Sequence, residues 1–256
     1  MKRINNKDNT VPEIGKYSPI MRSMSHEMRT HMTSIVSLAF LLKDNFSEAK
    51  KNELFNYIHQ TCKQLIIVFE NFAELEYSDS RNIKKEEEKC SITNFLAPLF
   101  DEFRAHLITG GKQRVELINE IQNIDLHEVI IDKTNVYKIL RCLFFNSFHN
   151  TEFGYIKIGF YIKNDGNMTF YVRDSGNSYE KTREFLNSKD INSSLNLFKD
   201  FYSAVNIFLA KKLVQALHGV IDINYNGTDG SEVYFTIPIK NIDTPKPSLY
   251  KYFKNL

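Results

Sequence analysis

Apolar residues recur at helical spacing through residues 21–72, and this pattern constrains the fold more than any other feature of the sequence. They form two series, Met21, Met24, Met28, Ile35, Leu38 and Leu42, then Leu54, Ile58, Cys62, Leu65, Phe69 and Phe72. Such spacing places an apolar stripe on each of two helices, which the polar segment between them joins as a hairpin. A lone hairpin cannot bury its whole apolar surface, whereas two copies can pair into a four-helix bundle. The sequence therefore predicts a homodimer.

The period of the pattern changes in the rest of the chain. Helical spacing is found at residues 92–107, 135–149 and 204–217, and strand-like runs are found at 115–121, 155–163, 167–174, 220–225 and 232–239. The turn signal Asn164-Asp165-Gly166 joins two of these runs as a hairpin. Helices packed on a largely antiparallel sheet form an α/β sandwich. The predicted fold class is α+β, with a dimeric helical hairpin followed by an α/β sandwich.

Composition shifts suggest where the domains begin and end. Residues 78–89 are almost wholly polar and charged, which is typical of a linker or of a solvated helix end, and the last stretch carries two prolines. The predicted organisation is a polar N-terminal segment (1–18), a helical hairpin (19–80), a linker (81–91), a sheet domain (92–240) and a C-terminal tail (241–256).

Composition also excludes several classes of function. A hydrophobic content of 42% in 256 residues supports a real core, and a net charge of +2 gives no reason to expect nucleic acid or an anionic membrane as a partner. Cys62, Cys90 and Cys142 lack the spacing of a disulfide framework or a zinc site, which favours a reducing compartment. Because no signal peptide and no long apolar run is present, we expect a cytoplasmic chain without a membrane segment.

The motif Ser25-His26-Glu27-Met28-Arg29-Thr30 carries the strongest functional signal. With Thr33-Ser34-Ile35 it closely resembles the phosphoacceptor box of sensor histidine kinases, S-H-E-[LM]-[RK]-T-P-L-T-S-I. The likeness continues through the second helix, NYIHQTCKQLIIVFENFAELEY, as that family's dimerisation hairpin. A phosphoacceptor imidazole needs one nitrogen free to attack phosphorus and a carboxylate near the other, which is the role expected of Glu27. The resemblance implies that His26 is the phosphoacceptor and that Thr30, one turn further on, orients water for dephosphorylation of a response regulator.

One position departs from this box. His31 stands where the family usually has proline, a residue that bends the helix just after the active histidine. Its loss predicts a straighter first helix and altered access to His26.

The sheet domain resembles the ATP-binding domain of the same kinases, which belongs to a superfamily with gyrase and Hsp90. The run IIDKTNVYKILRCLFFNSFHNTEFGYIKI aligns with the family's first nucleotide motif. The resemblance implies that Asn146 coordinates Mg²⁺, and that His149 and Asn150 stand where a lysine meets phosphate and an aromatic packs near adenine. Cys142 replaces an asparagine of the motif. A neutral histidine and a cysteine are poorer phosphate and polar partners than lysine and asparagine.

Two further motifs are partly kept. In VRDSGNS, Asp174 matches the carboxylate that reads adenine and Gly176 the glycine that permits close approach, although Ser178 replaces the second glycine. The helix FLAKKLVQALHG places Lys211 in register with the family's nucleotide-binding helix. Taken singly, such residues also fit a helix polar residue, a strand-end cap or a turn glycine, but their order and spacing favour the family resemblance.

The glycine-rich phosphate loop is missing. Residues 202–207 stand in its place and contain no glycine. That loop normally needs bare backbone, because its N–H groups cradle the phosphates and β-carbons obstruct the approach. The sequence therefore predicts weak nucleotide binding, and a mobile or collapsed lid over residues 177–203.

Three functions follow from these motifs. The leading hypothesis is a protein-histidine kinase core of a two-component system, which uses ATP and Mg²⁺ to phosphorylate His26 and passes the phosphate to an aspartate of a response-regulator receiver domain. The alternative is a degenerate kinase that acts as a histidine phosphotransfer protein, or as a regulator-binding pseudokinase or phosphatase with little use of ATP. A structural dimerisation module is disfavoured by the intact His-Glu-x-x-Thr.

Overall fold

The computed structural model describes residues 19–77, 83–120, 128–163, 166–198, 200–225 and 230–240. Two long helices come first, α1 (Pro19–Leu41) and α2 (Glu48–Tyr77), and they pack against each other. The predicted helical hairpin is therefore confirmed. The predicted N-terminal segment and C-terminal tail lie outside the described residues.

A mixed α/β domain follows the hairpin. Its elements are β1 (Glu88–Cys90), α3 (Ile92–Thr109), β2 (Val115–Asn119), β3 (Val129–Ile131), α4 (Lys133–Asn150), β4 (Gly154–Ile162), β5 (Asn167–Asp174), α5 (Tyr179–Asn187), α6 (Ile191–Phe198), α7 (Phe201–Ala216), β6 (Val220–Tyr225) and β7 (Ser231–Pro238). Five strands form one sheet in the order β2-β4-β5-β7-β6, in which only the β2–β4 pair is parallel. Helices α4 and α7 lie side by side against this sheet, which confirms the predicted α/β sandwich.

The segment predicted as a linker takes part in the fold. Its residues Glu88 to Cys90 form β1, which pairs antiparallel with β3. The next residue, Ser91, caps α3 by accepting a hydrogen bond from the backbone N–H of Asn94 at 3.4 Å. Strand pairing and a helix cap fix the backbone of this segment, so it joins the two parts of the chain along a defined path.

Aromatic packing forms the centre of the core. Phe103 and Phe144 stack with ring centroids 3.8 Å apart, and so join α3 to α4, while Phe170 and Phe235 stack at 5.1 Å across β5 and β7. All four side chains are fully buried. The aromatic run of α4, Phe144, Phe145 and Phe148, is buried in this core.

The hairpin docks on the α/β domain mainly through α2 and α7. Asn71 Nδ2 donates to Asn206 Oδ1 at 2.8 Å in a buried contact, and Lys212 Nζ donates to the carbonyl of Leu75 at 2.7 Å. At the start of α1, the backbone N–H of Ile20 donates to Asn192 Oδ1 of α6 at 3.0 Å. Buried polar pairs must keep their geometry, because an unpartnered group would cost more than the bond contributes. These contacts hold α1 beside the start of α7.

Candidate functional site

Helix α1 presents the phosphoacceptor box to solvent. The helix continues without a break through His31. His26 and Thr30 are both exposed, and the Thr30 hydroxyl donates to the backbone carbonyl of His26 at 3.1 Å. The imidazole of His26 is therefore open to a partner protein, as the box predicts.

The carboxylate of Glu27 is directed along a different stripe of α1. Glu27 Oε1 lies 3.4 Å from His31 Nε2, one turn further on, and both side chains are less exposed than His26. Adjacent helical positions point about 100° apart, so Glu27 and His26 leave the helix in different directions. In the structure the partner of Glu27 is the histidine that replaces the proline.

Glu27 also faces the α/β domain. The hydrogen bond from His31 is the main cause that lowers the pKa of Glu27, and the electrostatic effect of His149 on α4 adds to it, while burial and Asp200 act in the opposite direction. Docking of the hairpin therefore brings α1, with the predicted phosphoacceptor, beside the part of the α/β domain where the resemblance places nucleotide phosphates.

The expected adenine end of the site centres on Asp174. Its carboxylate is fully buried, with Oδ2 accepting from the Ser147 hydroxyl at 2.6 Å and Oδ1 accepting from the backbone N–H of Gly176 at 2.9 Å. The backbone at Gly176 and Gly230 packs closely around Asp174. A Cβ on Gly230, whose φ is +96°, would lie 1.8 Å from the Asp174 carbonyl oxygen. Burial raises the pKa of Asp174 from its ordinary value of 3.8 to about 6, despite the two hydrogen bonds.

This raised pKa gives a testable stability profile. Between pH 3.8 and about 6 the folded state binds more protons at Asp174 than the unfolded chain does, so the free energy of unfolding falls as the pH rises. We expect Asp174→Asn to be more stable than the wild type at pH 7, by at most about 3 kcal/mol, and to flatten the profile across this window. Urea denaturation at pH 4.5 and pH 7 measures both effects. Asp101→Asn, at an exposed position on α3, is the matched control, and a variant no more stable than the wild type at pH 7 would contradict the expectation.

The expected phosphate end is occupied by side chains of the chain itself. Asn146 is buried and its Nδ2 donates to Thr182 Oγ1 at 3.4 Å. Asn150 Nδ2 donates to the Asn146 carbonyl at 2.7 Å and to Ser203 Oγ at 3.3 Å. Ser203 belongs to the first turn of α7, which begins at Phe201 and so runs straight through the position of the missing glycine loop. A regular helix thus fills the space that the loop would leave open.

An ion pair closes the same end of the site. Lys181 Nζ on α5 contacts Asp200 Oδ2 at 2.5 Å and Asn150 Oδ1 at 2.8 Å. Asp200 also caps α7 by accepting from the backbone N–H of Ser203 at 2.9 Å. Burial acts to raise the pKa of Asp200, but the bonds from Lys181 and Ser203 outweigh it and lower the pKa. We refer to Lys181, Asp200 and Asn150 as the clasp.

Sequence reasoning missed two members of the clasp. Asp200 is a helix N-cap directly before an apolar run, a signal that could have placed the start of α7 earlier than residue 204. Lys181 has no local signal, because its role depends on contacts across 19 and 31 positions of the chain.

The remaining predicted ligands also have partners within the protein. The His149 ring stacks on Tyr202 with centroids 4.9 Å apart, and displacement of water from around it lowers the pKa of His149, against the attraction of Asp200. Lys211 Nζ donates to the carbonyls of Leu186 and Ser188 at 2.6 and 2.9 Å, where it satisfies the end of α5. Nucleotide contacts by His149 and Lys211 stay predictions. To contact a nucleotide, each side chain would have to give up its present contacts within the protein.

The lid segment takes the collapsed form of the two alternatives expected from the sequence. In the described part of residues 177–203, helices α5 and α6 pack against α7, and Thr182, Phe185 and Leu195 are buried.

The residues present fit a nucleotide in part. At the adenine end, the buried hydroxyls of Thr151, Ser178 and Ser231 have no hydrogen-bond partner within the described chain, and together with Asp174 they offer polar groups to a base. At the phosphate end, the residues do not fit a magnesium triphosphate. A negative side chain caps α7 there, the helix N-terminus is already satisfied, and Asn146 is enclosed.

The hairpin, the sheet order and the site together define the fold of a sensor histidine kinase core. Over 84% of this chain and 98% of the other, the structure is similar to histidine kinase AdeS of Acinetobacter baumannii, with a TM-score of 0.56 and 17% identity. It is also similar to histidine kinase ThkA in the crystal structure of its complex with the response regulator protein TrrA, with a TM-score of 0.57 and 21% identity over 86% of this chain and 60% of that chain. At these identities the likeness establishes the fold.

A curated relative points in the same direction. The aerobic respiration control sensor protein ArcB of Escherichia coli is 26% identical over 137 residues, which are 53% of this chain and 17% of that protein. The match thus spans only about a sixth of the relative's length. No protein-family model matches the chain. Among the helices described, none combines the length and the apolar character that a membrane crossing requires.

Proposed function

We propose that this chain is a two-component signalling protein whose histidine, His26, exchanges a phosphoryl group with the aspartate of a response-regulator receiver domain. The observation that carries the proposal is the exposure of His26 within an intact His-Glu-x-x-Thr motif on the first helix of a histidine kinase fold. The ThkA–TrrA complex supports a receiver domain as the partner, because it joins a protein of this fold to a response regulator.

Phosphoryl transfer to His26 depends mainly on residues of α1. One nitrogen of the His26 imidazole attacks phosphorus, the donor leaves with its bonding electron pair, and the proton on the other nitrogen passes to a base. Glu27 is the nearest carboxylate in sequence, and a change of its side-chain rotamer is required before it can accept the proton of His26. Thr30 lies one turn further along the same exposed stripe, where it can orient water for hydrolysis of the phosphoaspartate of a receiver domain, with phosphate as the product.

The test is phosphoryl exchange in the absence of ATP. The protein is treated with phosphoramidate, desalted and mixed with isolated receiver domains, and acid-labile phosphate is followed on both partners. We expect label on this chain, followed by its transfer to the aspartate of at least one receiver. Failure to acquire acid-labile label would contradict the proposal.

A second candidate is ATP-dependent autophosphorylation of His26 by the same chain. The adenine end favours it, since Asp174, Gly176 and Gly230 keep the arrangement of a buried carboxylate beside bare backbone. The fold comparison with ShkA, whose structure contains AMPPNP, is a further argument for nucleotide binding, with a TM-score of 0.53 and 17% identity over 88% of this chain and 47% of that chain. The clasp is the argument against it, so we rank the phosphotransfer role first.

We further propose that the chain works as a homodimer in the cytoplasm. The three cysteines are free, which suits a reducing compartment. Within the hairpin, Met32, Val36 and Phe40 of α1 form an apolar stripe that is 55%, 64% and 67% exposed, and Phe55, Ile66 and Phe69 extend it on α2. Most residues of the stripes expected from the sequence are partly or fully buried, Met21 and Phe69 being exposed, and this exposed surface is the one left for a partner. Contiguous apolar surface of this kind is rare on soluble monomers.

Light scattering at micromolar concentration tests the dimer. We expect a mass of twice 29.9 kDa, and we expect Phe40→Glu to shift it to a single chain, since a charge cannot be buried unpaired in such an interface. Phe153→Glu is the matched control, because Phe153 is 71% exposed and lies outside the hairpin. A wild-type mass near 29.9 kDa would contradict the proposal.

A further inference from the structure

His31 and Glu27 form a contact that the phosphoacceptor motif does not require. The two side chains lie at positions i and i+4 of α1, which are stacked on one face of a helix, and the atoms His31 Nε2 and Glu27 Oε1 are 3.4 Å apart. His26 lies on the neighbouring stripe with Thr30. The structure describes His26 and Glu27 and shows no ion pair between them.

The position of the pair favours this contact. Side-chain exposure is 18% for His31 and 28% for Glu27, so the pair is partly shielded from solvent by the packing of the hairpin on the α/β domain. Partial shielding strengthens an ion pair relative to one on an open helix surface. His26, in contrast, is exposed, and water competes with any carboxylate that approaches it.

We propose that His31 is a positioning residue that holds the Glu27 carboxylate away from His26 and thereby slows phosphoryl uptake by His26. The proposal rests on the proposed phosphotransfer function. In the step concerned, a nitrogen lone pair of His26 forms the N–P bond while the P–N bond of phosphoramidate breaks. The donor nitrogen leaves as ammonia with the bonding pair, and the proton on the second imidazole nitrogen of His26 passes to Glu27. The carboxylate must first leave His31.

The hold on Glu27 depends on the charge of His31. A protonated imidazole attracts the carboxylate more strongly than a neutral one, so His31 holds Glu27 more strongly in acidic than in alkaline solution. Two other groups act on Glu27 from elements packed against α1, namely His149 of α4 and Asp200 before α7. Displacement of water lowers the pKa of His149 and so disfavours its charged form, while the carboxylate of Asp200 repels that of Glu27 and is itself paired with Lys181. Neither group therefore takes the place of His31 as the partner of Glu27.

The experiment compares His31→Ala with the wild type in the rate of phosphoramidate uptake at His26. An exchangeable, partly shielded ion pair is worth about fivefold in rate, so we expect the variant to be about fivefold faster at pH 6 and less than about twofold faster at pH 9. The ratio of the two rates is the readout, because the pH dependence of the donor is common to both proteins. A loss of helix structure alone would not give a ratio that falls with pH.

Two further variants separate positioning from other effects. His31→Gln keeps a neutral hydrogen-bonding partner for Glu27, so its rate should lie near that of the wild type at high pH and should exceed it at low pH. His106→Ala is the matched control, because His106 forms the same kind of i,i+4 pair with Glu102, at 3.7 Å on α3, far along the chain from His26. Its ratio to the wild type should stay near one throughout.

The possible outcomes distinguish failure of the proposed role of His31 from failure of the proposed function. A faster His31→Ala whose advantage shrinks with pH supports the proposal. Label on the wild type with an unchanged or slower His31→Ala overturns the proposal and leaves the phosphotransfer function standing. Absence of label on the wild type and on every variant overturns the proposed function, and the role of His31 with it.

Discussion

Replacing His26 with glutamine is expected to abolish acid-labile phosphorylation of this chain. Glutamine keeps the length and polarity of the side chain but has no nitrogen lone pair available for attack on phosphorus. Since His26 is exposed on a helix surface, the change should leave the fold intact. We expect label from phosphoramidate, and from a phosphorylated receiver domain, to fall by more than about a hundredfold, in line with the loss of an essential nucleophile.

His59→Gln is the matched control for this experiment. His59 is an exposed histidine on α2 of the same hairpin but stands outside the phosphoacceptor motif. His59→Gln should retain full labelling, which would show that loss of a hairpin histidine other than His26 does not abolish phosphorylation. Acid-labile label that persists in His26→Gln would disprove the assignment of His26, whichever donor supplies the phosphate.

ATP is expected to bind this chain weakly, in the high micromolar to millimolar range, with little preference for ATP over ADP. Charge-assisted hydrogen bonds are worth roughly 1.5 to 3 kcal/mol each, and a factor of ten in affinity corresponds to about 1.4 kcal/mol. His149 replaces the phosphate-binding lysine and α7 replaces the glycine loop, so at least two such bonds are lost. The clasp adds a further cost, because phosphates would have to displace Lys181 from Asp200.

Calorimetry with ATP and ADP, each with and without Mg²⁺, measures this expectation. Asp174→Asn serves as the site-specific variant, since we expect it to be stably folded but to lose what adenine recognition remains. Autophosphorylation should be slow or undetectable under the same conditions. Mg²⁺-dependent binding of ATP in the low micromolar range would contradict the expectation and would favour the ordinary kinase role over phosphotransfer alone.

Local sequence patterns predicted the two hairpin helices, the helices α3, α4 and α7 and the five strands of the main sheet, but not β1, β3, α5 or α6. The spacing of Leu54, Ile58 and Cys62 reports one helix face, and the alternation in residues 167–174 reports one strand, because each pattern depends on neighbours a few positions apart. The motif around His26 is equally local, and its exposure followed from it. The absence of glycine from residues 202–207 predicts, from the sequence alone, weak nucleotide binding.

Contacts between distant segments were decided by the tertiary structure. Lys181 meets Asn150 and Asp200 only because α5 packs beside α4 and α7, and no pattern along the chain encodes that meeting. The start of α7 at Phe201 has a local signal in the N-cap Asp200, whereas the burial of its first turn comes from the tertiary packing of α7 on α2 and α4. The contact partner of Glu27 was also decided by the tertiary structure. Sequence places it next to His26, but helix geometry and the shielding supplied by the docked α/β domain direct its carboxylate to His31.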